Sequence, residues 1–169
     1  MDNSKQLGQD IVEAILGDFA KNWLAHDGLW FQAAEKRFGL EKAIELDREA
    51  WEKFTVIEAE RIMERHGIPQ GSGLNGLKKA LGFRMYAYIN KQEIRNETDR
   101  SFEFYMVECR VQSARRRKQM PLFPCKSVGI VEYSGFAGTI DPRIKTECIG
   151  CPPDESAGRD FYCGWRFSI

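Results

Sequence analysis

The chain has 169 residues, 43% hydrophobic and 30% charged, with only six prolines, a composition that suits one folded domain with a substantial core. Its 25 basic and 25 acidic residues balance to a net charge of zero, so nothing global draws it to nucleic acid or anionic lipid, and neither partner is expected. The opening residues lack a basic segment followed by an apolar run, and no stretch approaches the ~18 apolar residues of a membrane span. The expectations are no secretory signal, no transmembrane helix and a cytoplasmic location.

Taken in chain order, the first seventy residues read as helical. Residues 9–25 place Ile11, Ile15, Phe19, Trp23 and Leu24 at helical spacing. The stretch "HDGLWF" then predicts an interruption, with Asp27 capping a second helix through Trp30, Ala33, Ala34 and Phe38 that ends at Gly39. A long helix is expected from Glu41 to Arg65, stopped by Gly67 and Pro69, and Ser72 caps a short one through Leu81. "FRMYAYIN" (83–90) and "SFEFYMVECRV" (101–111) read as strands, the second with Phe102, Phe104, Met106 and Glu108 on one face, and the polar segment between them as a hairpin connection or exposed strand end. "QSARRRKQM" reads as a short helix and "CKSVGIVEYSGFAGTI" as another, ended by "DPR". Ile144–Cys148 and Cys163–Ile169 form a terminal antiparallel pair. The fold class is α+β, a single domain over residues 1–169: a mainly helical half (1–81) whose helices pack on one face of an antiparallel sheet, and a cysteine-rich half (82–169).

Two acids of the long helix stand out. Leu40, Ile44, Trp51, Phe54 and Ile62 define its apolar arc, and Asp47 and Glu58 fall inside that arc. A buried carboxylate needs a partner or a raised pKa. A structural salt bridge satisfies that requirement; so does a polar pocket between helices and sheet, with Asp47, Trp51 and Glu58 on one wall, where a ligand or a proton-transfer step needs them.

Five cysteines offer a second site. Cys148-Ile-Gly-Cys151 is a C-x-x-C, Cys163 stands where the returning strand begins, and Cys125 in "LFPCKSVG" supplies a fourth thiol. Four thiolates suit tetrahedral zinc, or alternatively an iron–sulfur cluster. The other readings are a Cys148/Cys151 redox pair, or reduced thiols that only pack, with no cofactor. Five is an odd count, and reducing cytoplasm disfavours disulfides. Cys109 lies apart, on the second strand beside Arg110; it packs in the core or, if basic groups approach it, serves as a nucleophile. The run Arg115–Lys118 carries no interleaved aromatics and reads as a solvated face. His26 and His66 lack a second ligand at metal-binding spacing.

"DGLWF", "LDREAW", "CRVQSAR", "FPCKSVG", "IDPRI" and "CPPD…YCGWRF" together resemble a family of uncharacterised prokaryotic cytosolic proteins. That family is distantly similar to L-2-amino-thiazoline-4-carboxylic acid hydrolase-like proteins and to the four-vinyl-reductase ligand-binding domain. The resemblance implies helices packed on an antiparallel sheet with a cavity between them, a homodimer, and metal or ligand binding at Cys148, Cys151 and Cys163, with Cys125. The functional expectation is a small-molecule-binding or sensory domain with a cysteine-bound metal, its ligand held by Asp47, Trp51, Glu58 and Arg110. The alternative is a thiol- or metal-dependent hydrolase of a small amide or thiazoline-like substrate, with Cys109 or a metal-bound water as nucleophile and Asp47 or Glu58 as base.

Overall fold

The computed structural model describes residues 8–155 and 158–169. Two long helices open it, α1 (Gln9–Phe38) and α2 (Leu40–His66), with only Gly39 between them. Gly39 has φ 84°, a conformation glycine adopts without strain, and its N–H closes α1 on the Glu35 carbonyl. Gly67, left-handed at φ 61°, ends α2 in the same way on Met63. The expected break at "HDGLWF" does not occur: α1 runs through it. Asp27 and Gly28 are poor helix formers, but α1 buries Leu24 just before them and packs Phe31 just after, and packing overrides local propensity.

α3 (Gly73–Leu81) follows, with Ser72 at its N-cap as expected but without a side-chain cap bond. The cap is supplied from elsewhere: the Asp141 carboxylate accepts from the Gly73 N–H at 3.0 Å. Residues 83–90 form no strand. Met85–Tyr88 is a turn of 3₁₀ helix, because Arg84 and Tyr86 turn toward the helical layer. The first strand, β1 (Lys91–Arg95), lies in the polar segment beyond it and is an edge strand. β2 (Ser101–Glu108) ends before Cys109, which is the N-cap of α4 (Arg110–Arg117) and not a strand residue. α5 (Lys126–Ile140), β3 (Lys145–Gly150) and β4 (Cys163–Ser168) complete the order, close to the expected bounds.

The four strands form one antiparallel sheet in the order β1-β2-β4-β3. Register pairs Phe102 with Phe167, Phe104 with Trp165 and Met106 with Cys163, so these side chains share the inner face. α5 lies against this face and α2 packs outside α5. Both approaches are close enough to require glycine. A Cβ at Gly129 would stand 2.6 Å from Trp165 Cζ2, and one at Gly135 would stand 2.6 Å from Thr55 Cγ2 of α2. This is the α+β arrangement read from the sequence, with helices on one face of the sheet. Among the described residues no helix is long and apolar enough to cross a membrane.

Candidate functional site

A cavity of about 400 Å³ opens where α1, α2, α4 and α5 meet the cysteine end of the sheet. Leu24, Phe31, Trp51, Phe123 and Val128 supply apolar walls, Tyr86 and Tyr133 aromatic ones, and Met106, Cys163 and Trp165 the floor. Its size is within the ~300–1,000 Å³ of small-molecule sites.

Three carboxylates on three different helices face this space: Asp27 of α1, Asp47 of α2 and Glu132 of α5. Among the described residues neither Asp27 nor Asp47 makes an ion pair. Burial, then the neighbouring charges of Asp27 and Glu132, push the Asp47 carboxyl up to about 7, and the Trp51 indole one turn away pulls it back only in part. Asp27 is also raised, by burial, against the opposing pull of His26. Glu132, almost fully buried, is raised by burial despite Arg84 beside it.

Arg84 explains where the second predicted acid went. Its Nε donates to Glu58 Oε2 at 2.8 Å, and its Nη2 lies 2.7 Å from Glu132 Oε1. Trp51, Tyr86, Tyr133 and Phe136 surround the guanidinium, with centroids 4.7–5.9 Å away. Burial works against its charge, but Glu132 and Glu58 outweigh that and hold it protonated. Glu58 thus pairs with Arg84 and does not line the cavity that Asp47 and Trp51 line, so the two predicted acids do not share one wall. Nη2 and Oε1 are close but angled away from a hydrogen bond, so one cation between two carboxylates leaves Glu132 incompletely satisfied.

The cysteines gather at the deep end. Cys125, Cys151, Cys163 and Cys109 all line the cavity, and all five are free thiols. Cys125 Sγ and Cys151 Sγ are 3.4 Å apart. Gln112, fully buried on α4, clamps this segment: its amide bonds both N–H and C=O of Phe123, at 3.0 and 2.8 Å, and its Nε2 reaches Cys125 Sγ at 3.5 Å. Contact with Cys151 lowers the Cys125 thiol, while Cys125 and Cys163 push the Cys151 thiol up. Cys148 pairs across the sheet with Trp165 and is half-buried, its thiol raised by burial. Among the described residues no group of three or more His, Cys, Asp or Glu is arranged to hold a metal ion.

Cys109 does face the cavity, as the hydrolase alternative requires, but burial pushes its thiol up to about 12, with Cys163 and Cys125 adding to the effect. Arg110, beside it, is exposed at the cavity rim together with Lys21, Arg117 and Lys118. Asp47, Trp51, Arg110 and the cysteines Cys109, Cys125, Cys151 and Cys163 therefore share one site, which Glu58 and Cys148 do not line. Sequence reasoning missed Arg84, Glu132, Gln112 and the inward role of Asp27. The first two carried a signal: Arg84 is one cation in an aromatic-rich run, and Glu132 is the one acid within α5.

A comparison with curated proteins finds no match. A protein-family model does match, over residues 5–169, and by that match the chain belongs to the family of unknown function DUF6125.

Proposed function

We propose that the chain is a small-molecule-binding or sensory domain whose ligand occupies the cavity between the helical layer and the cysteine end of the sheet. The observation that carries this reading is the cavity itself: about 400 Å³, walled by aromatic side chains and holding a few inward carboxylates and thiols. The distant resemblance to the four-vinyl-reductase ligand-binding domain agrees with it. A neutral fluorescent probe, N-phenyl-1-naphthylamine, tests it directly. Saturable, one-to-one fluorescence enhancement is expected, and Val111→Trp, which fills the wall on α4, should abolish it. A wild-type protein that gives no saturable signal ends the reading.

The same proposal keeps the cysteine-bound zinc ion, with Cys125, Cys148, Cys151 and Cys163 as donors, on the strength of the Cys125–Cys151 contact. Elemental analysis of anaerobically purified protein should find close to one zinc per chain, and Cys151→Ser should remove it. An iron signal points instead to a cluster, and metal-free protein leaves the thiols as packing groups.

A hydrolase is the second reading, favoured by Asp47, whose carboxyl near neutrality suits a general base. Cys109, held as a thiol at pH 7, makes a poor nucleophile, so a water activated by Asp47 replaces it in this version.

A further inference from the structure

α1 is thirty residues long, yet it buries only Ala20 and Leu24. Along its outside runs a stripe. Val12, Leu16, Phe19, Trp23, His26 and Trp30 follow one another at alternating steps of four and three, the spacing of a helix that packs along another helix. Phe19 is 67% exposed, Trp30 69% and, at the end of the helix, Phe38 63%. Trp23 finds part of its cover within the chain, stacked on Phe54 of α2 with ring centroids 5.5 Å apart. Leu46 and Ile57, three turns apart on α2, are exposed as well. Weighted by their exposures, the apolar side chains of this face present roughly 700–800 Å² to water. A monomer's largest apolar patch is ordinarily about 300–600 Å², whereas a stable complex buries about 800 Å² on each partner.

The face is complementary to itself in shape and in charge. A groove of about 710 Å³ lies between the two helices, with Ala33 and Ala34 on one side, Ala43 and Ala50 on the other and Trp30 at its edge. Bulky side chains and a groove lined by small ones thus share one patch, as an isologous contact requires. The charges divide along α1: Asp10 and Glu13 stand in its opening turns, and Lys36 and Arg37 in its last. Two such helices laid antiparallel bring acids against bases, and laid parallel they bring like charges together.

We propose that a second copy of this chain covers this face, the two α1–α2 pairs closing into a four-helix bundle about a twofold axis. An axis crossing α1 near Leu24 and Ala25 runs the two α1 helices antiparallel. It sets Phe19 against the partner's Trp30, at the edge of the groove, and Glu13 against the partner's Lys36. The second copy also backs the candidate site. Asp27, Leu29, Phe31 and Asp47 line both the groove and the 400 Å³ cavity, so the wall between the two is one layer of side chains, and the partner's helix closes its outer side. The pairing itself needs no ligand.

Sedimentation equilibrium of the full chain should give twice its 19.5 kDa mass at micromolar concentration. Phe19→Glu and Trp30→Glu, both at exposed positions, should each raise the dimer Kd at least about hundredfold while the far-UV circular dichroism stays that of the wild type. Lys36→Glu with Arg37→Glu should weaken the dimer about tenfold at low salt, and Glu13→Lys added to that pair should restore it. The charge variants decide the matter if glutamate in the stripe unfolds the chain. A wild type of single-chain mass overturns the proposal, whether it stays free in solution or floats with phosphatidylglycerol vesicles. A dimer whose Kd is unchanged by the glutamate variants and by the charge reversal overturns it too, because the two copies then meet elsewhere.

Discussion

Asp47 is where residue-level chemistry becomes measurable. Its carboxyl titrates near 7 in the folded chain against an ordinary value of 3.8, and the charged groups around it are Asp27 on α1 and Glu132 on α5, with Lys21 and Arg110 at the rim. Because the folded value is raised, the native state holds its proton more tightly than the unfolded state. The penalty for its charge is absent below about pH 4, grows as pH rises and is complete above about 7. Asp47→Asn should therefore stabilise the protein at pH 8 by on the order of 1–3 kcal/mol, and the gain should vanish near pH 4, as read from urea midpoints at the two pH values. Arg84 has the opposite sign. Arg84→Met strands Glu58 and Glu132 without their cation and should cost about 3–5 kcal/mol in the same assay. Cys109 should resist iodoacetamide at pH 7.5, since so little of it is thiolate; rapid modification found by peptide mass spectrometry would contradict the burial that raises it.

At the scale of elements, the parts legible in the sequence were those whose local and tertiary requirements coincide. β2 alternates because its Phe102, Phe104 and Met106 face the core, and α2 starts and stops at glycines that the chain reversal needs. The parts misread are those where the site imposes another demand. Residues 83–90 carry strand-like aromatics, but Arg84 and Tyr86 are used to enclose a buried ion pair, and the backbone coils to bring them there. β1 is polar because it is an edge strand, which hydrophobic alternation does not report. Asp27 and Gly28 look like a helix break, yet one faces the cavity and the other leaves room beside it. Glu58 shared the apolar arc with Asp47, but helical spacing says nothing of a partner twenty-six residues later. Two glycines separate these demands. A methyl added at Gly28 would meet no heavy atom closer than 3.9 Å, so Gly28→Ala should stabilise α1 by about 0.5–1 kcal/mol. Gly129→Ala drives a methyl into Trp165 and should cost about 1–3 kcal/mol. Thermal unfolding of the two variants should move in opposite directions.

Across the whole molecule, the helical layer and the sheet meet at a single working end. The inner face of the sheet is sealed by α5 along most of its length, and the seal opens where Cys163, Met106 and Trp165 meet the α1–α2 layer. The outer face is held by polar pairs instead, Glu103 with Arg166 at 2.6 Å and Arg95 with Asp160 at 2.9 Å, over which Phe161 covers Tyr105. The placement of the cysteines at the deep end of the cavity, rather than in a separate hairpin, was beyond reach of spacing rules: Cys125 and Cys151 meet through the packing of α5 on the sheet, twenty-six residues apart in the chain.

The strand order has a consequence for how this protein is made. β4 lies between β2 and β3, so β2 emerges from the ribosome some sixty residues before the neighbour that satisfies its inner edge. The nascent chain must hold that edge without a partner until residues 163–168 arrive, although α5, which covers the aromatic face beside it, is made earlier. The cavity floor is therefore laid last: Cys163 and Trp165 belong to β4, and the ligand site has no base until the final strand slides into the middle of a half-built sheet.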